Sequence, residues 1–259
     1  MKVVILCGGL GTRLREETEF RPKPMVKIGT KPILWHIMKH YAHYGFKDFV
    51  LCLGYRGETI KEYFYNYEIY NEDFTVCLGR QKSVHTHDSE NDLGWRVALV
   101  DTGEKALKGA RIKRVEHLID TDDFMLTYGD GVSDIDIRKL AEFHRAHGKI
   151  STVTGVHPPS LFGELKVRDN QVELFTEKPQ TSSGLISGGF FVMSRKIFDY
   201  LSPEDDCDLE RGPLENLAQQ KQLMVYQHPG DWACVDNYRD LQHLNQLWST
   251  NRAFWKVWA

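Results

Sequence analysis

Three short stretches carry residues whose types and spacing suit a phosphorylated ligand. The first is Cys7-Gly8-Gly9-Leu10-Gly11-Thr12-Arg13-Leu14, at the exit of the apolar run Val3-Val4-Ile5-Leu6. Its three glycines let backbone amides turn toward an anion with no side chains in the way, which makes a phosphate nest. It is neither of the two familiar phosphate loops. There is no GKS or GKT ending, and Leu14 stands where the dinucleotide fingerprint needs its third small residue. The second stretch, Pro22-Lys23-Pro24-Met25, sets one ammonium between two prolines that restrict the backbone around it. A lysine so held, near a glycine nest, suits a triphosphate. The third, Tyr128-Gly129-Asp130-Gly131, puts a lone carboxylate between glycines at the carboxyl end of an apolar run, where open α/β sheets place ligands. Mg²⁺ takes one or two protein carboxylates together with phosphates and water, so a sparse acid is the expected ligand set.

Taken singly, a glycine turn, a Pro-flanked lysine and an Asp-Gly turn are also ordinary loop chemistry. Their proximity combines them. A second acid and a second lysine stand downstream, in Glu177-Lys178-Pro179 and at Asp236 after Trp232-Ala233-Cys234-Val235. His85 and His87 have the spacing of two ligands on one strand face, but no neighbouring Cys or acidic ladder completes a zinc site. His36, His40 and His43 follow helical spacing and are expected as partly exposed polar residues.

The elements that must position these groups alternate between strand and helix, which argues for α/β units on a largely parallel sheet. Strands are expected over residues 2–7, 49–53, 74–78, 95–100, 124–128, 151–156, 190–193 and 223–227. Helices are expected from 33 to a stop at Gly45, and over 58–65, 110–119, 137–147, 209–220 and from Tyr238 onward. The polar stretch 80–94 reads as a mobile loop. Between 158 and 187 the period changes to two around Asp169-Asn170, which reads as an inserted β-hairpin. With no repeat, low-complexity tract or linker, a single domain over 1–259 is expected, with the insertion at 158–187 and a C-terminal helix and tail at 238–259.

These residues resemble the sugar-1-phosphate nucleotidylyltransferase family: GGLGTRL, PKPM, the YGDG acid, EKP and a late Asp occur in that family's order and spacing. KPILWHIMKHY, GYRGETIKEYF, LVDTGE, YGDGVSDIDI, FHRAHGK, GGFFV and HPGDW are similar to its cytidylyl-transferring, CDP-glucose-forming branch. The resemblance implies an enzyme with a Rossmann-like nucleotidyltransferase fold, a mostly parallel mixed sheet flanked by helices, joining CTP to a glucose 1-phosphate and releasing pyrophosphate. It implies that Leu6, Gly8, Gly9, Leu10, Gly11, Thr12, Arg13, Lys23, Arg111 and Gly129 hold the nucleotide. Tyr128, Gly163, Glu177, Lys178, Ser187 and Gly188 would hold the sugar phosphate, and Asp130 and Asp236 the Mg²⁺. Arg13, Lys23, Asp130 and Lys178 would carry catalysis. Two positions depart from the branch. Ala110 stands where a glycine is usual and is expected to crowd the base, and Ser187 replaces a sugar-facing amide. The sugar phosphate is already ionised at pH 7, so the chemistry requires no Ser/His/Asp or Cys/His activation, and the sequence displays none.

The whole chain agrees with a small-molecule enzyme. Its 259 residues carry 33 Lys+Arg against 36 Asp+Glu, a net charge of −3, and no basic run, which excludes a nucleic-acid footprint. No apolar stretch is long enough to span a bilayer, and five scattered cysteines without a CxxC pair read as reduced thiols, so the expected location is cytoplasmic. The resemblance implies a homo-oligomer, and Trp248, Phe254, Trp255 and Trp258 in the tail are the expected interface. The readings that remain beside this one are the same chemistry with UTP, dTTP or another sugar phosphate, and a non-catalytic regulatory subunit.

Overall fold

The computed structural model describes residues 1–78, 82–87, 93–158, 164–168, 171–176 and 184–258. Seven strands form the central sheet: β1 (Val3–Leu6), β2 (Asp48–Leu53), β3 (Arg96–Asp101), β4 (Asp123–Tyr128), β5 (Ser151–Val156), β6 (Ile186–Ser194) and β7 (Leu223–Gln227). Their order is β7-β5-β6-β4-β1-β2-β3. β1 pairs in parallel with both β2 and β4, and β6 alone runs antiparallel to its neighbours β4 and β5.

The sheet is covered on both faces, and β1 shows why its sequence is continuously apolar. Val3 and Ile5 join one core with Ile33, Ile37, Phe49 and Leu51. Val4 and Leu6 join the other with Val50, Ile112, Phe124 and Leu126. A strand buried on both faces has no polar side to alternate with. Helices α1 (Ile33–His43), α2 (Gly57–Tyr65), α3 (Lys108–Arg114), α4 (Ile137–His147) and α5 (Tyr238–Ser249) supply the layers. The bounds of α4 and β5 agree residue for residue with the periodicity of the sequence. Asp136 caps α4 by accepting from the amides of Arg138 and Lys139, and Gly148 closes it in the left-handed region.

Several expectations give way. The strand at Phe74–Cys77 stands outside the main sheet and pairs with Ser83–Thr86 in a two-stranded ribbon, so part of the expected loop 80–94 is strand. Residues 80–81 and 88–92 of that loop lie outside the described residues, as does the expected turn at 169–170 between the paired strands Glu164–Arg168 and Gln171–Thr176. The expected helix 110–119 divides into α3 and a 3₁₀ turn at Glu116–Leu118. The expected helix 209–220 is broken at Arg211 and Gly212, the latter at φ 97°, before Glu215–Gln219. Gly212-Pro213 explains the break, since glycine accepts positive φ and proline disfavours a helical residue before it.

His36 and His40 are buried rather than half-exposed, at 0% and 3% accessibility. They lie on the same helical stripe as Ile33, Ile37 and Tyr41, and that stripe meets the C-terminal tail. His36 accepts at Nδ1 from Trp255 Nε1 at 3.4 Å, so its Nε2 carries the proton and donates to Ile28 O at 3.0 Å. Its ring meets that of Trp248 edge-on, with centroids 4.6 Å apart. Trp255 and Trp258 are buried and Trp248 and Phe254 partly so, which overturns the tail as exposed interface: its aromatic surface closes over α1 of the same chain.

Candidate active site

The glycine loop leaves β1 at the point where the sheet order reverses, between β4 and β2, the usual place for a ligand crevice. Gly11 lies at φ +63°, a value that strains any other residue, and a Cβ there would stand 2.7 Å from Thr18 Cγ2. Its carbonyl accepts from Leu14 N at 2.9 Å and from Thr18 Oγ1 at 2.9 Å, which turns the chain into the 3₁₀ segment Thr12–Leu14.

Arg111, in α3, braces the loop from behind and is 4% exposed. Its Nη2 donates to Gly8 O at 3.0 Å and to Glu104 O at 3.1 Å. Its Nη1 donates to Leu53 O at 2.9 Å and to Thr102 Oγ1 at 3.0 Å. Burial lowers its pKa from the ordinary guanidinium value. A Cβ on Gly8 would fall 2.1 Å from Arg111 Nη1, so the glycine is required by the brace itself.

Asp130 and Asp236 meet because two short strands pair. Gly131–Ser133 and Trp232–Cys234 run antiparallel, with Cys234 opposite Gly131, and Val235 N donates to Asp130 O at 3.0 Å. The amides of Asp236 and Asn237 both donate to Asp240 Oδ2, part of the capping box that starts α5. Lys23 Nζ reaches Asp130 Oδ2 at 2.7 Å and Asp236 Oδ1 at 2.9 Å. Burial works against the lysine's charge, but Asp130 and then Asp236 outweigh it and hold the pKa above the ordinary lysine value.

These groups share one cleft of about 590 Å³. Leu6, Gly8, Gly9, Gly11, Thr12, Lys23, Arg111, Tyr128, Gly129, Asp130, Ser187 and Asp236 all line it. A smaller cavity of about 350 Å³ beside Lys149 and Lys196 has no carboxylate in its lining. Leu10 is 53% exposed and its side chain is outside the cleft lining. Gly188 is buried behind the wall, where a Cβ would meet Val156 Cγ1 at 2.7 Å, and its carbonyl accepts from Trp232 Nε1 at 2.8 Å. Gly163, Glu177 and Lys178 lie outside the described residues, and so does the side chain of Arg13. The expected crowding by Ala110 does not arise: the residue is wholly buried, its amide donates to Cys207 O, and it does not line the cleft.

The cleft also takes in Lys108 and Trp232, to which the sequence reading assigned no role. Lys108 Nζ lies 5.3 Å from the centre of the Tyr128 ring and pairs with Glu210, to which Tyr128 Oη also donates. Burial, then Glu210, pushes the Tyr128 pKa up, so its hydroxyl stays a donor. The HPGDW stretch, which ends in Trp232, was the available signal for that residue. Burial drives the Cys7 thiol well above its usual value, and burial followed by Asp236 drives Cys234 to about 12. Neither is poised as a nucleophile.

The chain is 48% identical over 259 residues, the full length of both proteins, to the glucose-1-phosphate cytidylyltransferase of Salmonella typhimurium. It is equally similar, 48% over the full length of both, to the enzyme of that name from Salmonella typhi. Among solved structures, HddC from Yersinia pseudotuberculosis complexed with GMP-PN shares the fold, with a TM-score of 0.69 at 23% identity over 95% of this chain and 99% of that one. Residues 2–254 match the nucleotidyl transferase family, and the chain belongs to that family.

Proposed function

We propose that the protein transfers a cytidylyl group from CTP to α-D-glucose 1-phosphate, giving CDP-glucose and pyrophosphate. The observation that carries this reading is the meeting of the glycine loop, Lys23, Asp130 and Asp236 in one cleft. The choice of CTP and glucose rests on the full-length similarity to enzymes of that name. A phosphate oxygen of the sugar attacks the α-phosphorus of CTP, the bond from that phosphorus to its β-bridging oxygen breaks, and pyrophosphate leaves with the electron pair. No proton need move. The protein's tasks are to align two anions that repel one another and to offset charge at the α-phosphate. In this reading the glycine loop and Lys23 hold the triphosphate, while Lys178 and Glu177 receive the sugar phosphate. Trp232 and Ser187 wall the sugar side.

The residues present fit Mg²⁺. Two carboxylates already converge on one cation, the Lys23 ammonium. Among the described residues no cluster of three His, Cys, Asp or Glu side chains could hold a metal alone, which leaves places for phosphate and water. Asp130 and Asp236 would hold the ion, which when bound offsets the phosphates' negative charge.

We further read the whole chain as one catalytic unit, cytoplasmic and homo-oligomeric. Among the described residues no helix is long and apolar enough to cross a membrane. With the tail folded inward, the exposed large apolar side chains concentrate between Tyr65 and Val84, and these support an association. The test of the reaction is pyrophosphate release from four nucleoside triphosphates against several sugar 1-phosphates. CTP with glucose 1-phosphate should lead, EDTA should abolish turnover, and Asp130→Asn should remove most of it. Full activity in EDTA, or unaltered kinetics in the variant, would sink the metal assignment.

A further inference from the structure

Lys23 does not point into open space in this structure. Its nitrogen fills the gap between Asp130 and Asp236, within 2.9 Å of an oxygen of each, and the side chain is 15% exposed. The placement is built in from both ends. Pro22 and Pro24 fix the backbone around the lysine, and Val26 N donates back to Lys23 O at 3.1 Å. The two acids are fixed by the pairing of Gly131–Ser133 with Trp232–Cys234 and by the cap of α5. The long side chain of Lys23 is thus the part of the trio that can leave the gap while the backbone stays in place.

Two carboxylates aimed at one point repel each other unless a cation lies between them, and here the cation is part of the chain. A divalent ion bound by both acids needs the same gap, and the ammonium repels it. A triphosphate in the cleft supplies what is missing, an anion that draws the ammonium toward the glycine loop lining the same wall. We propose that Lys23 is an internal counter-cation that holds Asp130 and Asp236 together and bars divalent cations from them until a triphosphate draws it off. The inference rests on the functional reading above, in which the two acids hold the metal and Lys23 meets the nucleotide. It adds an order to them: the acids become a metal site only with nucleotide present, so free divalent cation is not trapped in an empty enzyme.

The test uses Mn²⁺ as a probe, followed by the loss of its free-ion paramagnetic resonance signal on titration with the full-length protein. Without nucleotide, Lys23→Met should bind Mn²⁺ at least tenfold more tightly than wild type, and Lys23→Met/Asp130→Asn should lose that gain. Lys23→Gln should behave as Lys23→Met does, and Mn²⁺ should raise the melting temperature of both more than that of wild type. Lys23→Arg, which keeps a cation in the gap, should bind Mn²⁺ as weakly as wild type. Equal Mn²⁺ affinity in nucleotide-free wild type, Lys23→Met and Lys23→Gln overturns the proposal while leaving the metal reading intact, provided Asp130→Asn binds the preformed Mn²⁺–CTP complex more weakly than wild type does. Affinity for the Mn²⁺–CTP complex that is unchanged in both Asp130→Asn and Asp236→Asn overturns the metal reading, and the gate with it.

Discussion

Replacing Arg111 by methionine keeps the aliphatic stem and removes the guanidinium, and the structure sets the expected cost. Of the four acceptors, Leu53 O also receives Thr102 N at 3.0 Å and Thr102 Oγ1 at 2.6 Å, and is satisfied without the arginine. Thr102 Oγ1 likewise keeps its bond to Leu53 O. Gly8 O and Glu104 O are different, because Arg111 is their donor among the described residues. Leaving a buried acceptor unpaired costs about 1–3 kcal/mol, so the buried Gly8 O together with Glu104 O, which is partly open to water, gives a loss of about 3 kcal/mol. For a protein of this size that lowers the melting temperature by about 6–12 °C. Because Gly8 begins the loop proposed above to hold the nucleotide, CTP affinity should fall with it. The two effects are separable by measuring thermal denaturation alongside calorimetric CTP binding at a temperature where the variant is folded. A second variant locates the brace: Gly8→Ala, whose methyl would collide with the guanidinium, should cost less in an Arg111→Ala background than in wild type. A melting temperature unchanged from wild type, with CTP binding weakened tenfold, would refute the reasoning and make Arg111 a ligand contact instead of a brace.

Burial depresses the pKa of both His36 and His40 to about 4, against 6.5 in the unfolded chain. Since the folded state holds them neutral, their contribution is complete above pH 6.5 and is lost as the pH falls toward 4, by about 2 kcal/mol each at pH 5. Melting temperatures that stay level from pH 7 to pH 4.5 would contradict this. Ser187 is exposed in the cleft wall, opposite Gly155 across the β5–β6 pairing. Ser187→Asn adds a longer amide, and should change the ratio of kcat/KM between glucose 1-phosphate and an epimer by about fivefold or more, with KM for CTP unmoved. An unchanged ratio for every sugar would remove Ser187 from sugar recognition.

Local pattern and tertiary contact contributed different parts of this molecule. The apolar run of β1, the stripe of α1, the bounds of α4 and β5, and the glycine nest with its neighbouring lysine are written in adjacent residues, because burial on one face or two imposes a period that the sequence must carry. The same periodicity states that a face is buried without stating against what. His36 and His40 share a stripe with Ile33 and Ile37, yet only the arrival of Trp248 and Trp255 from the far end of the chain makes them interior residues. The ribbon that joins Asp130 to Asp236 is three residues long on each side, too short for any period to announce it. Arg111 enters the sequence reading only through the resemblance, as a nucleotide contact, and its four acceptors come from three separate segments. The ion pair between Lys23 and Asp236 spans 213 positions of sequence, and its members acquire a common role only once the sheet has closed that distance. Composition can supply two acids and a lysine, but only the packed chain fixes which charges share a low-dielectric cleft, and with that which cation lies between them.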